Sequence, residues 1–159
     1  MCVKAGLKTV IQDAAASALG KMFNKVASEH GVSIINIVRK EDQVKYLEEE
    51  GCKYILNSSA PDFFTQLSNL ISLTKPTFYF SAIGGGELVG RILTSMPPHS
   101  TCFVYGALGM QNFKYDPNEF LLKMQSVSFF WLGVWQASLT ADERKKWFTY
   151  VVNDLSGEG

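Results

Sequence analysis

Apolar residues along this chain gather in short runs that alternate with longer stretches of helical spacing. Six runs read as strands: Lys8–Gln12, Ser33–Val38, Lys53–Asn57, Thr77–Ala82, Thr101–Tyr105 and Val127–Leu132. Strands this short, nearly continuous in apolar character and separated by helical patterns, are the signature of a parallel sheet covered on both faces. Between the first two strands, Leu19, Met22, Phe23, Val26 and Ala27 fall at i, i+3, i+4, i+7 and i+8, which predicts one apolar helix face. Gly31 closes that helix. The charged stretch Glu41–Glu50 offers Val44 and Leu47 to a core and stops at Gly51, as a C-terminal glycine should. Pro61 opens a third helix, with Phe64, Leu67, Leu70 and Ile71 facing inward, and Glu87–Met96 forms a fourth that ends against Pro97-Pro98. Asp116-Pro117-Asn118-Glu119 and Thr140-Ala141-Asp142-Glu143 are capping boxes that start two more helices.

The pattern is βαβαβ twice over, with no fixed-period repeat, low-complexity tract or linker. It predicts a single α/β domain over residues 1–159, a doubly wound six-stranded parallel sheet of the Rossmann type in the order 3-2-1-4-5-6, helices on both faces. In that order a ligand crevice opens where the direction of winding reverses, at the carboxyl ends of strands one and four.

Composition narrows the class without deciding it. A chain of 159 residues with 47% hydrophobic and 19% charged positions is an ordinary globular protein. The formal net charge of +0 suggests neither nucleic acid nor an anionic membrane surface as partner. No run approaches the length of a membrane helix, and Lys8 and Asp13 interrupt the N-terminal apolar segment where a signal peptide needs continuity. Cys2, Cys52 and Cys102 are scattered without a CxxC spacing, so reduced thiols in a cytoplasmic or organellar compartment are expected. His30 and His99 are the only histidines, the cysteines are scattered, and no metal site is expected.

The chemistry concentrates at strand ends. After Val10-Ile11-Gln12, the small residues Asp13-Ala14-Ala15-Ala16-Ser17-Ala18-Leu19-Gly20 turn directly into a helix. A strand, a tight turn and a helix N-terminus cradle a pyrophosphate, because free N–H groups and the helix dipole point at the anion. Compared with G-x-G-x-x-G, the turn keeps only its last glycine: Ala14 and Ser17 precede it without a glycine between them, and Gly20 supplies close helix-to-strand packing. Ser17 is suited either to cap the helix or to donate to a phosphate oxygen. Arg39 and Lys40 follow strand two, where an NAD site would carry an acid, and cations there favour the 2′-phosphate of NADP. Ser81-Ala82-Ile83-Gly84-Gly85-Gly86 ends strand four at the switch point, either as a close approach to the ribose or nicotinamide or as a flexible turn. Tyr105-Gly106-Ala107-Leu108-Gly109 ends strand five in the same way. The aromatic run Ser128–Trp135 continues the sixth strand at a sheet edge. It is suited to pairing with a second copy through residues 127–134 or to burial beneath a last helix carrying Trp147, Phe148, Val151 and Val152. Gln12, Asp13, Asn36 and Asn57 are polar residues at or near strand ends without an evident proton-transfer partner.

Taken together, Val10 to Gly20, Ile35-Asn36-Ile37-Val38-Arg39 and Gly51-Cys52-Lys53-Tyr54-Ile55-Leu56-Asn57 resemble the medium-chain dehydrogenase/reductase superfamily. Its zinc-independent quinone oxidoreductase and enoyl reductase branch is the most similar. Phe80-Ser81-Ala82-Ile83-Gly84-Gly85, Met96-Pro97-Pro98 and Val104-Tyr105-Gly106 sit in the same order, so the resemblance covers nearly the whole chain. It implies that Ser17, Ala18 and Leu19 meet the pyrophosphate of NADP(H), and that Arg39 meets the 2′-phosphate. It further implies that Ile83, Tyr105 and Gly106 line the path to the nicotinamide, with Phe130 and Trp131 near the nicotinamide or a dimer seam. Nothing here corresponds to the superfamily's N-terminal catalytic domain. The expected role is therefore the NADP-binding half of an oxidoreductase that passes hydride to an enone, enoyl thioester or quinone, inactive alone. A non-catalytic dinucleotide-sensing or dimerising module is the rival. A short-chain reductase is disfavoured, because no Tyr-x-x-x-Lys pair exists: Tyr105 precedes Gly109 and Tyr46 precedes Glu50.

Overall fold

The computed structural model describes residues 8–156; Cys2 lies outside them. Strands β1 (Thr9–Gln12), β2 (Ser33–Val38), β3 (Tyr54–Asn57), β4 (Phe78–Ser81), β5 (Thr101–Val104) and β6 (Ser126–Phe129) form one sheet, in the order β3-β2-β1-β4-β5-β6. Every neighbouring pair is parallel, from Ile35 opposite Tyr54 at one side to Thr101 opposite Ser126 at the other. This is the doubly wound α/β arrangement that the strand–helix alternation predicts.

Alternation along the strands sends side chains to the two faces of the sheet, where they form three clusters. Ile11, Ile35, Ile37, Tyr79 and Cys102 face helices α3 (Phe63–Thr74) and α4 (Gly86–Ser95), which contribute Phe63, Leu67, Val89, Ile92 and Leu93. Val10 and Ile34 point the other way and pack with Ala27 and Phe23 of α1 (Ala18–Glu29). Val38 belongs to a third cluster, with Ala15 and Leu47 of α2 (Glu41–Glu49). An aromatic row continues that face, with Phe80 4.8 Å from Phe23 and 5.5 Å from Phe103 between ring centroids.

Both glycine stops form as expected. Gly31 and Gly51 take positive φ, and the following residues bond back into the helices, Val32 N to Ala27 O at 2.8 Å and Cys52 N to Leu47 O at 3.0 Å. Asp116 accepts from Asn118 N and Glu119 N to start α5 (Pro117–Lys123). Thr140 and Glu143 cap one another reciprocally before α7 (Ala141–Ser156).

Two expectations fail. The apolar face of α1 is narrower than its spacing suggests: Gly20, Phe23 and Ala27 meet the sheet, whereas Leu19, Met22 and Val26 are exposed. A helix lying on a parallel sheet needs one strip at i, i+3 and i+7, and the flanking apolar residues fall outside it. The sixth strand also starts and ends earlier than its aromatic run. It occupies Ser126–Phe129, Leu132 already opens helix α6 (Leu132–Ser138), and residues 130–134 extend no strand. The cause is register: β5 stops at Val104, opposite Phe129, and beyond that pair no parallel partner remains.

Residues up to Phe129 form one compact unit and those from Phe130 a second. Within the second, Trp135 lies 6.1 Å from Phe130 and 5.9 Å from Trp147 between ring centroids. Among the described residues no helix is long and apolar enough to cross a membrane.

Candidate functional site

Between the carboxyl ends of β1 and β4 lies a cleft of about 590 Å³. Ala16, Ser17, Arg39 and Ile83 line it, as do Gln43, Ser58, Leu108 and Gln111. Four of the residues expected from sequence therefore meet at one surface.

The turn after β1 is built for an anion. Asp13 N is held by Phe80 O at 3.2 Å and Ala15 N by Ile37 O at 3.3 Å, which fixes the turn to the strands on either side. Ala14 takes a φ of 49°, a left-handed conformation that glycine adopts with less strain. Ser17 is the N-cap of α1, its Oγ accepting from Gly20 N at 3.1 Å, so its hydroxyl caps the helix. Ala18 and Leu19 open the helix, and their N–H groups find no acceptor among the described residues. Gly20 is required by the turn itself, since a Cβ would lie 2.5 Å from Ala15 O and 2.8 Å from Ala14 O. Beneath the turn, buried Gln12 donates from Nε2 to Gly20 O at 3.2 Å and to Asn36 Oδ1 at 2.7 Å.

At the β2 end, the backbone of Arg39 is fixed while its side chain is exposed. Gln43 Oε1 accepts from both Arg39 N and Lys40 N at 3.1 Å, and Ser59 Oγ donates to Arg39 O at 2.9 Å. The guanidinium makes no ion pair among the described residues. Lys40 is exposed too, as the N-cap of α2, and lies outside the cleft lining. Sequence reasoning missed Gln43, although a glutamine three residues after a helix N-cap is a capping signal.

The β4 end is dominated by a residue that the sequence left without a role. The Asp13 carboxylate accepts four hydrogen bonds: Tyr79 Oη and Ser81 Oγ, each at 2.5 Å, Ala82 N at 2.8 Å and Ile83 N at 3.1 Å. Burial pushes its carboxyl above the ordinary range, and the four donors, Ser81 foremost, pull against that. Burial and then the nearby Asp13 also push the Tyr105 phenol and the Cys102 thiol up to about 12. Ala82 is buried, and Gly84 adopts a φ of 77° against Gly106 O, where a Cβ would come within 2.1 Å. Gly106 thus supports the cleft wall, and Tyr105 N is held by Ser81 O at 3.0 Å. Phe130 and Trp131 belong to the second unit and are exposed.

A family model described as zinc-binding dehydrogenase matches residues 18–146. The chain belongs to that family. It corresponds to the nucleotide-binding half of the medium-chain dehydrogenase/reductase superfamily. Mitochondrial enoyl-[acyl-carrier-protein] reductase of Rattus norvegicus is 24% identical over 149 residues, covering 91% of this chain and 40% of the rat protein. The Caenorhabditis elegans enzyme of that name is 27% identical over 142 residues, covering 86% of this chain and 39% of its own. The chain thus spans about two fifths of the curated relatives it matches. Among solved structures, a protein assigned as an NADPH:quinone reductase from Mesorhizobium loti superposes with a TM-score of 0.80. It is 28% identical over 90% of this chain and 41% of its own. A mutant enoyl thioester reductase from Candida tropicalis gives 0.78 at 18% identity, over 97% of this chain and 44% of its own. Despite the family's description, no cluster of three or more His, Cys, Asp or Glu among the described residues is arranged to hold a metal ion.

Proposed function

We propose that the cleft binds NADPH, with the pyrophosphate over Ala16–Leu19, the 2′-phosphate at Arg39 and the nicotinamide toward Ile83. The observation that carries this reading is that Ser17, at the N-terminus of α1, and the exposed Arg39 line one cleft at the winding switch point. A bound nicotinamide supplies the hydride. The chain's own residues bind and orient it: the α1 N-terminus offers donors, Arg39 offers a bidentate cation, and the Ile83–Gly84 wall sets its depth. The whole protein would then be an oxidoreductase reducing an enoyl thioester, enone or quinone. The enoyl reductase relatives support that, as does a solved complex of Etr1p with NADP and crotonyl-CoA that shares this fold at 18% identity. Pairing with a second copy through β6, the terminal strand of the sheet, belongs to the same proposal, and a related 2-enoyl thioester reductase from Candida tropicalis is an Etr1p/Etr2p heterodimer.

The test is a fluorescence titration of the 159-residue chain with NADPH and NADH, repeated on Arg39→Ala. Saturable binding with NADPH preferred, and the preference lost in the variant, is the expected result. Failure of both nucleotides to bind at millimolar concentration overturns it and favours the non-catalytic module, a reading that Ala14 in a left-handed glycine position also supports.

A further inference from the structure

Tyr79, Ser81, Ala82 and Ile83 all lie 66 to 70 residues from Asp13 in sequence, and all four converge on its carboxylate. The two oxygens divide the work. Oδ2 takes the hydroxyls of Tyr79 and Ser81, while Oδ1 takes the consecutive backbone N–H groups of Ala82 and Ile83. Among the described residues no cation neutralises this carboxylate; the groups it meets are hydroxyls and amides, and its titratable neighbours are the phenols of Tyr79 and Tyr105 and the Cys102 thiol. The network does not stop there. Gly84 N donates to Ser81 Oγ at 3.0 Å, and Leu108 N and Gly109 N are held by Ala82 O and Ile83 O at 3.0 and 2.9 Å. Asp13 therefore sits at the root of a continuous chain of bonds that runs from the end of β1 through the end of β4 to the loop after β5.

We infer that Asp13 is a positioning residue for the nicotinamide-side wall of the cleft, fixing the Ala82–Gly84 backbone through its four donors. Ile83 and Leu108, which line the cleft, hang on this chain, whereas Arg39 and Gln43 at the other end do not. The inference rests on the dinucleotide reading given above. It separates the two ends of the ligand: removing the Asp13 carboxylate weakens contacts on the nicotinamide side and leaves the adenosine 2′-phosphate side as it was.

The experiment measures two affinities, for NADPH and for the adenosine fragment 2′,5′-ADP, on the wild type, Asp13→Ala and Asp13→Asn, with circular dichroism to confirm folding. Asp13→Ala is expected to weaken NADPH about tenfold, the scale of one to two lost hydrogen bonds, and the fragment less than twofold. Asp13→Asn is expected to restore most of the loss. Its amide oxygen still accepts from Ala82 and Ile83, and its NH₂ donates to hydroxyls that accept as readily as they donate. Should Asp13→Ala fail to fold, Ser81→Ala carries the same comparison, because it cuts the link to Gly84 and leaves three donors in place. Equal losses for both ligands, or an unchanged NADPH affinity, overturn the positioning role while the cleft keeps its assignment. A wild type that binds neither ligand overturns the cleft assignment and this inference with it.

Discussion

The two ends of the cleft are built on opposite principles. At the β2 end, Arg39, Lys40 and Gln43 are surface residues whose backbone is pinned by a few side-chain bonds, and the charged head of Arg39 stays in solvent. At the β4–β5 end the wall is backbone against backbone, with Gly84 pressed on Gly106 O and a buried carboxylate underneath. The first arrangement tolerates change in a side chain, so it can set which nucleotide is preferred. The second leaves no slack, so it sets geometry and carries stability. Substitutions at the two ends should therefore separate affinity from folding.

The largest effect is expected at Gly84. An alanine there must adopt the left-handed φ of 77° and place its Cβ 2.1 Å from Gly106 O, a backbone atom. Left-handed strain and overpacking together should cost about 4 kcal/mol. Gly31→Ala is the control, since its φ of 65° is similar but no atom lies within 4 Å. It should cost about 1 kcal/mol, the conformational part alone. Urea denaturation of both variants measures the difference, and equal costs would mean that the β4–β5 wall yields easily.

A pH series sharpens the same contrast from the buried side. The Asp13 carboxyl is raised above its ordinary value of 3.8, so the folded chain keeps this proton at pH values where the unfolded chain has released it. Stability from this group is then fully present below pH 3.8 and is lost as pH rises through the folded value. Asp13→Asn does not titrate, so its stability relative to wild type should improve as pH climbs through that window. Denaturant midpoints for both proteins between pH 4 and 7 give the answer. A constant gap would show that the four donors fully offset burial.

How much of this the sequence could show depends on the distance between partners. The sheet order and the glycine stops at Gly31 and Gly51 are local signals, because strands buried on both faces read as unbroken apolar runs and a helix end is written within a few residues. Ser17 and Arg39 were legible for the same reason, one at the start of a helix and the other directly after a strand. Asp13 was not, since its donors come from the other half of the chain and nothing near it in sequence announces them. The early end of β6 was hidden likewise: its aromatic run satisfies strand propensity up to Trp135, but the length of β5 decides where pairing stops. The exposed Leu19, Met22 and Val26 show that helical spacing marks candidates for burial without saying how wide the contacted strip is.

Ser17→Ala offers the next smaller effect and tests the seam between the two ends. Its Oγ satisfies Gly20 N, so removing it strips an N-cap and should cost about 1 kcal/mol. Because the hydroxyl is engaged in capping, NADPH affinity should fall less than stability does.

Arg39→Ala is expected to leave stability almost untouched, within about 0.5 kcal/mol, as befits an exposed side chain that makes no ion pair among the described residues. The bonds that hold this segment run from Gln43 and Ser59 to backbone atoms of residue 39, and an alanine keeps those atoms. A thermal melt beside the nucleotide titration separates the two readouts. An unchanged midpoint together with lost NADPH preference places recognition in the side chain and structure in the backbone. A lowered midpoint would mean that the guanidinium also supports the fold, and the division between the two ends of the cleft would have to be abandoned.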